Sequence, residues 1–409
     1  NKSQQRLEKY KKIKNINILD IIFLNSCFSN GKFKDRFYEN FLKKTKKNYF
    51  LCPENLLFSK TRKSIRIIEK QKINVLYRFD FMHFIDYLNA LRIVFFPKLE
   101  FVSKNCEFDL SELVHRDYYN SLGNFNFFMG VLNFYFFKKD QKINIDIKEI
   151  TNLYENQPAG KGFIYGAKIY FPKSKVIGNL DYFFNFNFGF SHQPLKNEVI
   201  NKFIPNENYI VTKYYRSFFL KFYKLLKTKV YSFRYSSKDF FNKIKINKIK
   251  KNCNILFITS IETKETIKII NELSKLNLDN RFNIFLKFHP NFDKNFIDKF
   301  RFLKSNNIYI ANGKIKNLIK DMHISIIGSS SSAVESIFFK RPVICPLNSF
   351  FIIDTPLEGL ISKDLYKIYY SQNDLKKKIE FYYHLLSDSK KVNNLNKIFF
   401  KNKQKILNN

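Results

Sequence analysis

The 409-residue sequence predicts an α/β protein built on two parallel sheets, and three observations lead there. Apolar runs of strand length alternate with segments of helical period, the pattern of parallel strands joined by right-handed crossovers. The length suits two domains of ordinary size, each with its own core. Residues 324–346, ISIIGSSSSAVESIFFKRPVICP, read strand, turn, helix, strand, which is a βαβ unit.

In the first domain, residues 1–227, the apolar run 17–24 predicts a buried strand followed by a polar turn. A helix over 33–46, a strand over 49–52, a helix over 64–72 and a strand over 75–79 come next. Asp80 follows that strand, with His83 and Asp86 beyond it as turn and surface residues. The apolar and aromatic stretch 109–137 reads as helices. Its phenylalanines from 125 onward are core, because aromatics at mixed spacing in a Phe-rich chain mark no ligand platform. A strand over 147–154 ends at Glu155 and Asn156. Pro158 then sits in the first turn of a helix reaching residue 170, where its missing N–H is harmless. Strands at 175–178 and 209–212 and a basic-aromatic helix over 215–227 close the domain.

Residues 228–251 lose any sustained period and gain a dense lysine run, so they predict a linker. The second domain, 252–386, is marked by strands at 254–258, 282–288, 308–311, 324–327 and 343–345. A helix over 263–276 and closing helices over 364–386 accompany them. The remainder, 387–409, reads as a polar, lysine-rich tail.

Lys and Arg number 72 against 35 Asp and Glu, a formal charge of +37. Lysine far outnumbers arginine, and Lys, Asn, Ile, Phe and Tyr are abundant while Trp is absent, the set that an AT-rich codon supply produces. No zinc-finger, RRM or KH signature accompanies the lysines, so nucleic acid is not an expected partner. Attraction to an anionic membrane face is expected, since each surface Lys near such a leaflet contributes about 1 kcal/mol. No run reaches the roughly 18 apolar residues of a membrane span, and the charged start has no signal-peptide core. Five cysteines (Cys27, Cys52, Cys106, Cys253, Cys345) at no metal-like spacing fit a reducing cytoplasm. The expected location is cytoplasmic, peripheral at the inner face of the membrane.

The chemistry-bearing residues gather at expected strand ends. Ser329, Ser330, Ser331 and Ser332 follow Gly328 where a helix should begin. They cap its free N–H groups, or those groups and the helix dipole bind a phosphate. Lys287, His289 and Pro290 end the strand over 282–288, and Thr259 and Ser260 follow the strand over 254–258. In open α/β sheets ligands bind outside the carboxyl ends of strands. No Asp-x-Asp pair or Walker loop is present, so no metal or cofactor is expected, and a leaving phosphate must be stabilised by protein groups. Glu335 either accepts from ribose hydroxyls or complements the helix dipole at the surface. Transfer to a hydroxyl also needs a base, for which Glu155 is first choice, His192 second and Asp80 a distant third.

Phe285-Leu-Lys-Phe-His-Pro290, the Ser-rich turn, Glu335 and the Lys340-Arg-Pro-Val-Ile344 strand together resemble the donor domain of bacterial GT-B glycosyltransferases. Capsule Kdo transferases, bacterial sialyl- and polysialyltransferases and teichoic-acid glycerophosphotransferases share versions of this pairing. Tyr154-Glu-Asn-Gln-Pro158, Lys175-Val-Ile-Gly178 and Gly189-Phe-Ser-His-Gln-Pro194 resemble a narrower group of surface carbohydrate biosynthesis proteins. The resemblance covers residues 151–347. It implies two Rossmann-like domains facing across a cleft, and a metal-independent transfer from a nucleotide-sugar, which is a substrate and not a cofactor. It favours a CMP-linked donor and implies a glycan or lipid-linked glycan acceptor. The acidic-acidic-Gly motif that carries the base in better-known sialyltransferases is missing here. A non-catalytic polysaccharide-assembly subunit and a nucleotide-sugar epimerase of the same fold are the rival readings.

Overall fold

The computed structural model describes residues 2–21, 28–29, 32–33, 35, 38–42, 48–53, 61–97, 111–143, 145–185, 193–216, 227–235, 245–260, 262–276, 278–289, 292–300, 307–347 and 352–407. The chain divides into two compact units. The first comprises Asn1–Asp181, Ser191–Ile210 and Phe219–Arg234, and the second Tyr182–Phe190, Val211–Phe218 and Tyr235–Asn409.

Unit 1 holds strand β1 (Ile16–Ile21), a short antiparallel hairpin of β2 (Phe28–Ser29) and β3 (Lys32–Phe33), then β4 (Tyr49–Pro53), β5 (Ile147–Leu153), β6 (Lys175–Leu180), β7 (Glu207–Ile210) and β8 (Lys227–Val230). Six of these form one parallel sheet in the order β4-β1-β5-β6-β7-β8. β1 is buried at every position, as a parallel strand covered on both faces must be. Ile18, Phe50, Ile150 and Val176 pack against Phe163 and Ile164 of the helix Pro158–Tyr170. That helix crosses the helix Phe125–Ile143 glycine to glycine, so a Cβ at Gly162 would overlap the Gly130 carbonyl oxygen.

Unit 2 holds β9 (Cys253–Ile258), β10 (Phe282–Lys287), β11 (Ile308–Ile310), β12 (Ile324–Ile327), β13 (Val343–Pro346) and β14 (Tyr366–Tyr369). They form a second parallel sheet, β11-β10-β9-β12-β13-β14. The α/β class with two parallel sheets is therefore as the sequence predicts.

Several expectations are corrected. The strand expected at 75–79 is a single bridge at Val75 followed by a 3-10 turn, Arg78–Asp80, because Arg78 turns inward to pair with Asp20. The expected linker, 228–251, begins inside β8, and its later part is tied to unit 2. There Asn247 Nδ2 donates to the carbonyls of Lys320 (2.9 Å) and Met322 (3.0 Å). The expected closing helices include β14 ahead of the helix Gln372–Ser387. The expected tail is the helix Ser389–Leu407, which buries Leu395, Phe399 and Ile406.

Candidate active site

The unit 2 sheet runs outward from β9 in one direction through β10 and β11, and from β12 in the other through β13 and β14. Its order therefore reverses between β9 and β12, and the carboxyl edge at such a reversal is where α/β sheets bind ligands. Thr259 and Ser260 leave β9 at that edge, Gly328 through Ser332 leave β12, and Lys287 and His289 end β10 beside them. Pro290 lies outside the described residues.

Thr259 joins two of these strand ends. Its backbone N–H donates to the Lys287 carbonyl at 3.1 Å, and its Oγ1 accepts from the His289 N–H at 2.9 Å. Lys287 is half-buried, and among the described residues its ammonium has no hydrogen-bond or ion-pair partner. Burial holds its pKa below the usual lysine value, so an anion beside it would restore a counter-charge.

The serines divide in role, and not as capping predicts. The helix they precede, Ser332–Phe338, has no side-chain hydrogen bond from its N-cap, Ser331. Ser331 Oγ instead accepts from the Phe183 N–H and donates to the Phe183 carbonyl, both at 3.0 Å, which holds the Tyr182–Phe190 segment within unit 2. Ser332 is buried, and its N–H donates to Ser330 Oγ at 3.3 Å. Ser329 is exposed. Glu335 is no surface residue: it is buried and accepts from the Tyr235 hydroxyl at 3.3 Å.

Two acids at this edge escaped the sequence reading. Glu265, in the helix Thr263–Ser274, lies against Gly328, where an added Cβ would stand 3.5 Å from its Oε1. Its carboxyl is pushed up by burial, against a hydrogen bond from Ser260 that pulls it down, with the Asp354 charge adding to the rise. Asp354 is raised by burial and held by Ser329. Ser260 Oγ also accepts from the Glu262 N–H at 3.2 Å. A hydroxyl that donates to a carboxylate keeps two lone pairs, so Ser260, with the one left to it, and Ser329 are placed to accept from sugar hydroxyls, leaving phosphate charge to Lys287. An acid in a helix's first turn looks like a cap in sequence, which is why Glu265 gave no signal.

In unit 1 the sheet order reverses between β1 and β5, and Glu155 and Asn156 stand just past β5 at that edge. Both are half-buried, and Asn156 has a left-handed backbone, φ 55°. Its Nδ2 donates to the Gln193 carbonyl at 3.0 Å. His192 lies outside the described residues. The unlikeliest base, Asp80, is a structural anchor, since Arg6 reaches both its oxygens at 2.7 Å and Ser3 adds a third bond of 2.7 Å. Of its neighbours, His83 is exposed as expected, whereas Asp86 is buried, accepts from the His83 N–H and pairs with Lys139 at 3.2 Å.

Beneath this edge Arg78 is fully buried. It binds Asp20, Asn133 and the Cys52 carbonyl, and Asn152 donates to the second Asp20 oxygen. Asp181, directly after β6, is also fully buried, and its oxygens accept from the Ser232 hydroxyl and, at 2.7 Å, from the Arg234 N–H. Burial lifts its carboxyl to about 6 despite those bonds. It was legible in principle: the expected strand stopped at Gly178, and two residues more would have put Asp181 at a strand end.

Two parallel six-stranded sheets, each with one reversal and polar side chains at the carboxyl edge, are of the α/β kind found in GT-B glycosyltransferases. Similar solved structures include a glycosyltransferase from Rickettsia africae ESF-5, 15% identical, with TM-score 0.52 over 97% of this chain and 94% of that one. Another is S. aureus MnaA in a co-structure with UDP, 10% identical, with TM-score 0.51 over 96% and 94%. Anabaena HepE in complex with UDP and glucose is 10% identical, with TM-score 0.50 over 96% of each chain. At these identities the likeness is one of fold. The chain matches no protein family and no curated protein.

Proposed function

We propose that this protein is a glycosyltransferase of bacterial surface polysaccharide biosynthesis. In this reading it transfers a sugar from a nucleotide-activated donor to a glycan or lipid-linked glycan, without a metal. The observation that carries the reading is the half-buried Lys287 ammonium, without a partner among the described residues, beside Thr259 and Ser260 at the reversal point of the unit 2 sheet. A donor diphosphate or monophosphate supplies the missing anion there, and Ser260, Ser329 and their two carboxylates accept from sugar hydroxyls. Glu155 is the base for the acceptor hydroxyl, with His192 the alternative. A lipid-linked acceptor brings the protein to the inner face of the cytoplasmic membrane.

The motif resemblance favours a CMP-linked donor. A UDP-linked donor is the second reading, favoured by the UDP bound in the MnaA and HepE structures. Thermal-shift measurements with CMP, CDP, UDP and GDP separate the two, since a ligand at 100 times its Kd stabilises the native state by about 2.7 kcal/mol. Lys287→Met should remove the shift for whichever nucleotide gives one. With an acceptor in hand, Glu155→Gln should lower transfer about 10²- to 10⁴-fold and spare nucleotide affinity. Normal transfer by Glu155→Gln with loss in His192→Ala reassigns the base to His192. If no nucleotide shifts the melting temperature, the transferase reading fails.

A further inference from the structure

The helix Phe84–Phe95 of unit 1 is apolar on its outward face. Its buried positions are Asp86, Ala90 and Val94. Phe84, Leu88, Leu91 and Phe95 recur at spacings of four, three and four, which puts them in one stripe on the other side. They are 76%, 44%, 40% and 50% exposed, and Ile85 and Phe96 beside them are more than half exposed as well. A soluble surface seldom leaves so many large apolar side chains side by side. The helix's one acid, Asp86, is turned inward and paired with Lys139, so its single outward charge is Arg92. Ile93, on the same helix, opens into a cavity of about 310 Å³, within the size range of ligand sites. Phe127, Val131, Phe134, Tyr165 and Phe203 supply most of its apolar wall, and Lys161 reaches it as well.

We propose that this stripe and cavity form the surface by which unit 1 lies on an anionic lipid bilayer, the stripe entering the acyl boundary and the cavity receiving a lipid chain. Charge decides between the two candidate occupants. A second copy of a chain that carries +37 meets a net repulsion, whereas an anionic leaflet is attracted by the same lysines. An in-plane helix with an apolar face and no outward acid is the geometry of interfacial binding. No helix among the described residues is long and apolar enough to cross a membrane, so the contact is in the plane.

The inference rests on the peripheral-membrane part of the proposed function and not on sugar transfer, and vesicle binding without donor or acceptor tests it separately. The sequence has no tryptophan, so Leu88→Trp supplies a lone fluorophore on the stripe. With phosphatidylcholine vesicles containing phosphatidylglycerol, the protein should float with the vesicles and the Leu88→Trp emission should shift to the blue. The variant Phe84→Ser/Leu88→Ser/Leu91→Ser/Phe95→Ser removes exposed side chains only. It should keep its melting temperature and lose about 100-fold or more in partition. Equal partition by that variant, or no flotation of the parent chain, overturns the proposal. A blue shift without vesicles, together with a dimer by light scattering, overturns it in favour of a second copy.

Discussion

The Asn156 side chain donates to the Gln193 carbonyl over 3.0 Å, a bond that joins the ENQP turn to the loop in which Gln193 directly follows His192. Asn156 can make it because its backbone is left-handed, a conformation Asn tolerates and most residues do not. The turn that holds Glu155 is thereby tied to the backbone at Gln193.

Two substitutions separate the bond from the backbone. Asn156→Gly keeps the conformation and should cost about 1 kcal/mol, the worth of one hydrogen bond. Asn156→Ala adds roughly another 1 kcal/mol of backbone strain. Urea unfolding of both variants measures the difference, and equal losses would show that the backbone is unstrained.

Ser331 and its neighbours should part company on mutation. Ser331→Ala removes two hydrogen bonds to the Phe183 peptide, so it should lower stability by about 1 to 3 kcal/mol and leave nucleotide affinity alone. Ser329→Ala should do the reverse, because Ser329 is exposed and stands beside Asp354. Calorimetric titration beside thermal unfolding reads both quantities, and a nucleotide defect confined to Ser331→Ala would refute the division.

Nucleotide binding should strengthen as the pH falls. Glu265 and Asp354 are both raised above ordinary carboxyl values, so they take up protons earlier than free acids would. Each proton removes a negative charge from the edge where the proposed phosphate would sit. The Kd for the stabilising nucleotide should drop as the pH is lowered, starting above the ordinary carboxyl range, and Glu265→Gln should flatten the profile. A Kd that rises on acidification would place the phosphate away from these acids.

Stability should move the same way with pH. Asp181 titrates near 6 when folded against about 3.9 unfolded, so the native state binds the extra proton. The stability from that proton is complete below about pH 4 and is lost as the pH rises through 6, a loss of roughly 2 to 3 kcal/mol. Asp140 points the same way with a larger displacement. It is fully buried, neither oxygen has a partner among the described residues, and burial raises its carboxyl well above the usual range. Asp140→Leu should therefore stabilise the protein by about 1 to 3 kcal/mol, most at alkaline pH. Denaturant unfolding across pH tests both, and a destabilised Asp140→Leu would reveal a partner for that carboxyl.

The strands legible in the sequence include those buried on both faces, such as β1 and β12, and half-buried ones such as β7 and β10. Those missed lie at sheet edges. β8 reads KTKV and β14 YKIY, because edge strands carry lysine and lose the apolar signal, so they looked like linker and helix. Strand-end reasoning brought Thr259, Ser260, Lys287, His289 and Gly328 to one edge correctly, since it needs only strand order and direction. It could not show that Ser331 is spent on Phe183 or that Glu335 is buried, because those facts depend on segments distant in sequence. The half-buried Asp354 was hidden for the same reason.

The chain passes between the two units at 181/182, 190/191, 210/211, 218/219 and 234/235. Such a weave leaves no single peptide bond whose cleavage would release one unit whole. A protease that nicks the chain anywhere near residue 240 would strand two segments of the second unit, those with Phe183 and Tyr215, on the wrong fragment. The evolutionary corollary is that neither half could have been exchanged as a cassette by one recombination event.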